Sequence, residues 1–312
     1  MAVRLIRRGL KTVVMSQGVH RALSKPQVCR LVTPAIRPLA QWLPRKLLFD
    51  MPVRRDFEVK VPHRERGFRF EVDSGDSISK ALFWYGLNGY ERHAVELLSA
   101  LATKASSFLD VGANTGVYSL LAAASNDNLA VHAFEPVPSV FARLQRNARL
   151  NHFANLALHQ MAVSSVSGRA EIHVPADAVP LEASLLPGFR ANTDSVSVQV
   201  TTIDDFVAAA GIARVDVLKV DTEGTSRMVI AGALNTLSRD APLLVCEVLY
   251  AVDTDTAAWP LLRDLGYLAF LVTPNGLVAD QEVLGDPEYR NMNYVFSPAD
   301  RVCELTSVIS IR

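Results

Sequence analysis

From Ser106 to Pro298 the chain alternates short apolar runs with segments of helical spacing, and few folds accept that pattern. "SFLDVG", "AVHAFEP", "LALHQMAVS", "VDVLKVDTEG" and "PLLVCEVL" read as strands, and "YLAFLVT" and "NMNYVFSP" as closing strands. Between them "GVYSLLAAAS", "PSVFARLQRNARLN", "TTIDDFVAAAG", "SRMVIAGALNTL" and "DTAAWPLLRDLG" read as helices. Strands that are apolar along their whole length are covered on both faces, which requires a mostly parallel sheet flanked by helices. The expected class is therefore α/β and Rossmann-like. Ahead of this region "FEVKV" and "FRFEV" alternate as antiparallel strands, and "GRAEIHVPA" suggests an inserted hairpin.

In such a sheet a ligand sits at the carboxyl ends of the strands. The first joint there is Asp110-Val-Gly-Ala-Asn-Thr-Gly116. Gly112 and Gly116 open backbone angles closed to other residues, and the following helix offers free N–H groups. The spacing is Gly-x-x-x-Gly, with Asn114 where a dinucleotide fingerprint has its middle glycine. That suits a nucleoside without phosphates. Glu135, 23 residues after Gly112, stops the second strand just before a proline and is placed to accept both hydroxyls of a ribose. The plain alternatives are a strand–helix turn and a solvated loop acid.

Charge is balanced over the 312 residues, 32 Lys and Arg against 32 Asp and Glu, but unevenly spread. The first 49 residues hold ten Lys or Arg and no acid. Val3, Ile6, Leu10, Val13 and Val14 would share one side of a helix there, with Arg4, Arg7, Arg8 and Lys11 beside them. Three readings are open: a helix docked on the main domain, a helix lying on an anionic membrane, or an organelle transit peptide. Residues 1–50 are expected to form a basic helical extension and residues 51–312 the main domain. No apolar run approaches a spanning helix and no apolar core of a secretory signal follows the basic start. The three cysteines make no Cys-x-x-Cys pair and their number is odd, which fits a reducing cytoplasm. No nucleic-acid partner is expected.

With both motifs in view, the sequence resembles the FkbM family of S-adenosylmethionine-dependent methyltransferases between about Ser77 and about Val272. The resemblance rests on "FLDVGANTGVYSLLAA", "AFEPVPSVFARLQRNARLN", "MAVSSVSGRAEI", "VTTIDDF", "VLKVDTEG" and "LLVCEVL", in that order. It implies a seven-stranded class I methyltransferase sheet and methylation of hydroxyl oxygens, often on sugars or glycosylated products. By position Asp110, Gly112, Asn114 and Gly116 would face the methionine part of the cofactor, with Thr115 contributing through its backbone. Glu135 would hold the ribose, and Met161 and Ala162 would border the adenine. Ser165 stands where the family usually has an acid, a departure from the family pattern at the adenine side. Lys219, Asp221 and Glu223 would line the fourth strand's end and Glu247 the fifth's, with Lys219 and Glu223 toward the acceptor.

A hydroxyl is a poor nucleophile until its proton leaves, and a positioned base contributes typically 10²–10⁴-fold. Asp221 and Glu247, at adjacent strand ends, are the candidates. Each has a plain rival: Lys219 and Asp221 could tie the strand end as an ion pair, Glu223 could cap the next helix, and Glu247 could bind a hydroxyl without moving a proton. Asp204 and Asp205 are expected at a helix start, where acids meet the positive end of the dipole. No metal is expected. Two other readings remain: a nicotinamide-dependent reductase or epimerase, and a cofactor-binding protein without catalysis. The irregular segment from 179 to 195 is expected to overlie the site and choose the acceptor.

Overall fold

The computed structural model describes residues 36–43, 45–50, 57–73, 76–175, 184–185, 193–250 and 257–310. The expected basic helix over residues 3–14 lies outside them, as does most of the 179–195 insertion. The chain divides into two compact units, Met1–Arg92 and His93–Arg312.

In the first unit a 3₁₀ turn (Arg37–Trp42) and helix α1 (Arg45–Asp50) precede a hairpin of β1 (Phe57–Val61) and β2 (Phe68–Val72). The two strands pair antiparallel with Phe57 opposite Val72, as their alternation implies. Helix α2 (Ser77–Tyr85) starts at Asp76, whose carboxylate accepts from the Ile78 N–H at 2.8 Å.

The second unit opens with α3 (Arg92–Ala102) and runs β3 (Ser107–Val111), α4 (Val117–Ser125), β4 (Ala130–Phe134), α5 (Pro138–Asn151) and β5 (Leu156–His159). Then come β6 (Ala162–Val163), β7 (Gly168–Pro175), β8 (Thr193–Thr201), α6 (Ile203–Ala210) and β9 (Val217–Val220). The chain continues with α7 (Ser226–Ala231), α8 (Leu234–Asp240), β10 (Leu243–Glu247), α9 (Ala258–Asp264) and β11 (Tyr267–Thr273). It closes with β12 (Gly276–Ala279), β13 (Asn293–Pro298) and α10 (Val302–Thr306).

The main sheet has the order β12-β11-β13-β10-β9-β3-β4-β5. From β10 to β5 every pairing is parallel, and β13, β11 and β12 close the other side antiparallel. The class is the expected one, but among the described residues the sheet has eight strands where seven were expected. The extra strand, β12, returns from β11 through Thr-Pro-Asn-Gly, and Asn-Gly is a hairpin signal. Thr273 Oγ1 fastens that turn by donating to the Gly276 carbonyl at 2.7 Å.

Two further expectations need correction. "LALHQMAVS" is not one strand: β5 ends the main sheet, and β6 pairs instead with β8 in a three-stranded sheet of order β6-β8-β7. "SRMVIAGALNTL" is two helices broken at Gly232-Ala233. A Cβ on Gly232 would lie 2.2 Å from the Ser164 carbonyl oxygen, so the break is where the chain passes the end of β6. The break also lets the Gly232 carbonyl accept from the Asp204 N–H at 3.0 Å, at the start of α6. The core is the interior of the parallel strands, with Leu109, Val111, Phe134, Leu218, Val220 and Leu244 all at or below 1% exposure.

Candidate active site

The carboxyl ends of β4, β3, β9 and β10 stand side by side, because Val111 is level with both Phe134 and Val220, and Val220 with Cys246. The next residue of each strand therefore enters one common rim. These are Glu135, Gly112, Asp221 and, closing β10, Glu247. The sequence separates them by more than a hundred residues, and the parallel register brings them together.

The β3–α4 loop is built from within. Gly112 and Ala113 both donate backbone N–H to the Phe134 carbonyl, at 3.1 and 2.8 Å. Gly112 has φ +79°, and a Cβ there would lie 1.8 Å from the Asp221 carbonyl oxygen. Gly116 has φ +98°, and its Cβ would fall 2.5 Å from Leu144 Cδ1. The positive φ expected of both glycines is present, but what presses on them is the protein's own chain. Asn114 is also left-handed, at φ 52°, a conformation Asn tolerates, and its Oδ1 accepts from the Thr115 N–H at 2.7 Å. Thr115 is fully buried, and its carbonyl accepts from Asn147 Nδ2 of α5 at 2.8 Å.

Glu135 is 6% exposed and receives two backbone N–H groups: Val137 at 2.8 Å on Oε1 and Asn114 at 3.1 Å on Oε2. It therefore joins the two loops that the sequence assigned to one cofactor. Burial raises its pKa to about 7, against the two N–H groups, which lower it. A carboxylate oxygen has capacity beyond one N–H, so both oxygens can still accept a hydroxyl.

Asp110 is placed differently from its expected part. It lies wholly inside, where Ser119 Oγ of α4 donates to Oδ2 at 2.5 Å and the Lys219 ammonium lies 3.6 Å from Oδ1. Burial raises its pKa, opposed chiefly by Lys219 and then by the Ser119 hydrogen bond. Lys219, with 3% of its side chain exposed, also meets Asp221 Oδ2 at 3.1 Å and sits 4.6 Å from the centre of the Tyr118 ring. The ammonium is thus enclosed between two carboxylates and a ring, the ion-pair rival of its acceptor role. Tyr118 and Ser119 lie within the quoted "FLDVGANTGVYSLLAA" stretch but drew no role from it, and only the turn of α4 under β3 makes them neighbours of Asp110 and Lys219.

Asp221, 23% of its side chain exposed, is the outer member of this chain of charges. Glu247 is half-buried at the end of β10, level with Asn293 of β13. Glu223 has φ 47°, and its carbonyl accepts from Ser184 Oγ at 2.8 Å. It is not the helix cap that its position suggested, because α7 begins after Thr225. Ser184 lies in the 179–195 insertion and ties it to the β9–α7 loop. Met161 is half-buried against the core, and Ala162 is buried at the start of β6, level with Val200. Among the described residues, three buried side-chain oxygens without a hydrogen-bond partner gather at the ends of β3 and β9: Asp110 Oδ1, Thr115 Oγ1 and Thr222 Oγ1. Such groups are costly to bury alone and mark a place where a polar ligand fits. No cluster of three metal-ligating side chains occurs among the described residues.

A parallel sheet with a glycine-bearing first loop and an acid ending the second strand defines a nucleoside-cofactor α/β enzyme. The methyltransferase FkbM domain model matches residues 110–269, and the chain belongs to that family: it is an S-adenosylmethionine-dependent methyltransferase. Over 224 residues it is 29% identical to the 31-O-demethyl-FK506 methyltransferase FkbM of Streptomyces tacrolimicus, covering 62% of this chain and 80% of that protein. It is 26% identical over 186 residues to the hexuronic acid methyltransferase AglP of Haloferax volcanii, covering 59% and 72%. It is also 25% identical over 157 residues to the 2-O-methyltransferase NoeI of Sinorhizobium fredii, covering 46% and 64%. The reductase or epimerase alternative is thereby set aside.

Proposed function

We propose that the chain transfers the methyl group of S-adenosylmethionine to a hydroxyl of a sugar or sugar-like acceptor. The observation that carries this reading is the rim of β9 and β10, where Asp221 and Glu247 close adjacent parallel strands beside the Glu135 loop. The relatives' names, a 2-O-methyltransferase and a hexuronic acid methyltransferase among them, support the acceptor class.

The residues fit the cofactor. Glu135 would take the ribose hydroxyls, the Gly112–Gly116 loop the methionine part, and Met161 and Ala162 the adenine edge. The cofactor supplies an electrophilic methyl group on a sulfonium. That group would serve as methyl donor to the acceptor oxygen, and Asp221 or Glu247 would take the hydroxyl proton. Holding the two reactants in line can supply roughly 7–11 kcal/mol of the barrier. Lys219 fixes Asp221 from behind and orients it, and Glu247 approaches from the next strand. Asp221→Asn or Glu247→Gln is expected to lower turnover by at least about 10² while cofactor affinity changes little. If both variants keep near-normal turnover on the acceptor, positioning alone carries the rate. A chain that binds the cofactor but methylates no hydroxyl acceptor contradicts the proposal. The basic N-terminus would hold the protein peripherally at an anionic membrane.

A further inference from the structure

Beyond Glu247 the rim continues into a surface that none of the family motifs covers. Val248 donates its N–H to the Met292 carbonyl at 2.8 Å, which draws the β12–β13 loop alongside the end of β10. That loop is organised by one side chain. Asp286 Oδ1 accepts from the Glu288 N–H at 2.9 Å, and Oδ2 accepts from the Arg290 and Asn291 N–H groups, both at 3.0 Å. The Asp286 carbonyl takes the Tyr289 N–H at 2.9 Å. The turn holds Tyr289 at φ 51° with 52% of its surface exposed. A left-handed non-glycine residue persists only where its surroundings enforce it, often at ligand clamps.

The phenol of Tyr289 does not wave free: its hydroxyl donates to the Tyr250 carbonyl at 3.0 Å. Tyr250 is itself 39% exposed, three residues after Glu247. Gly285, at φ +79°, lets the loop come this close, since a Cβ there would lie 2.9 Å from the Tyr250 N. The Tyr289 phenol is thus fixed against the Tyr250 backbone, and both tyrosines are exposed close to the end of β10. Glu247 lies three residues before Tyr250 in the chain, and Asp286 and Glu288 precede Tyr289 in its turn, Glu288 paired with Arg290.

Exposed aromatic faces bordered by carboxylates suit one chemistry above others. A pyranose ring carries a face of C–H bonds that packs on the electron-rich face of a phenol, and hydroxyls at its edge that donate to carboxylates. A nucleotide or phosphate would meet repulsion from the same acids. Building on the proposed acceptor class, we infer that Tyr289 and Tyr250 form the acceptor subsite, a stacking platform for a pyranose ring whose edge hydroxyl is presented to Glu247.

The test uses the full chain saturated with S-adenosylhomocysteine. Methyl glycosides of glucose, galactose and mannose are titrated at millimolar concentrations and followed by saturation-transfer NMR. At least one is expected to bind with transfer strongest to its ring C–H protons. Tyr289→Ala is expected to weaken that binding about fivefold to tenfold, while Tyr289→Phe, which keeps the ring, retains most of it. A thermal shift with S-adenosylhomocysteine, unchanged in both variants, verifies that fold and cofactor site are intact. If none of the glycosides binds the wild-type complex, or if Tyr289→Ala binds them as wild type does, the subsite is wrong. If wild type shows no shift with S-adenosylhomocysteine, the methyltransferase reading itself fails, which is a separate result.

Discussion

Glu135 is the residue on which the site turns, and its burial gives it a measurable signature. Its carboxyl titrates at about 7 in the folded chain against an ordinary 4.5. A folded pKa above the unfolded one means the folded state holds the proton longer. The resulting stability is fully present below about pH 4.5 and is lost as pH rises through about 7, a contribution of order 3 kcal/mol. His132 and His159 act in the opposite sense. Burial lowers both, and His159, beside His132, falls to about 4, so their contribution is present above about 6.5 and lost on acidification. The wild-type curve alone mixes these terms, and comparison with Glu135→Gln separates them. Between pH 5 and 8 without cofactor, the variant is expected to gain stability relative to wild type as pH rises, by urea denaturation. A constant difference would mean that Glu135 is ionised throughout. At this scale the sequence showed the site's outline: Gly112, Asn114 and Glu135 fall where the strand–loop–helix pattern puts them. It offered the Lys219–Asp221 pair but did not show that Asp110 encloses Lys219 from the other side. That enclosure depends on β3 lying beside β9, a pairing across more than a hundred residues that no local spacing encodes.

The elements were legible where their periodicity was long, and illegible where the chain changed partner partway through an apolar run. Within the β5–β6 stretch only His159 and Gln160 interrupt the apolar residues, a polar pair too short to mark by itself the transfer from one sheet to the other. The α7–α8 break carried a signal, Gly232 inside a helical pattern, whose meaning needed the backbone of Ser164 nearby. The acids at the start of α6 show the same limit. Asp205 lies in the first turn as its position implies, and the cap itself is Thr202, whose side chain accepts from the Asp205 N–H at 2.9 Å. Asp204 does more than meet its own helix dipole. Its carboxylate accepts from the Asn235 N–H at 3.0 Å, the Thr236 N–H at 2.8 Å and Thr236 Oγ1 at 2.7 Å, capping α8 from outside. Asp204→Ala is therefore expected to cost about 1–2 kcal/mol, at the upper end for a lost cap because three donors lose one acceptor. A denaturant midpoint equal to that of wild type would show that water replaces the carboxylate without loss.

On the scale of the molecule, the parallel half of the sheet from β3 to β10 carries the rim proposed for the cofactor, and the family match covers the same stretch. No helix among the described residues is long and apolar enough to cross a membrane. The proposed membrane contact would fall to the acid-free start of the chain. Each Lys or Arg near an anionic bilayer is worth about 1 kcal/mol, so Arg4, Arg7, Arg8 and Lys11 together would supply roughly 4 kcal/mol. Full-length protein is expected to co-sediment with anionic vesicles, less so as salt rises, and to lose this on deletion of residues 1–15. Indifference to anionic vesicles at low salt would return that segment to docking on the protein. The account as a whole rests on a cofactor held by Glu135, and isothermal titration with S-adenosylmethionine tests that most directly. Wild type is expected to bind with release of a proton near pH 7, because the ribose hydroxyls favour the ionised carboxylate, and Glu135→Ala to bind about tenfold to several-hundredfold more weakly, two charged hydrogen bonds at roughly 1.5–3 kcal/mol each setting the ceiling. Equal affinity in the two proteins, with no proton released, would contradict it.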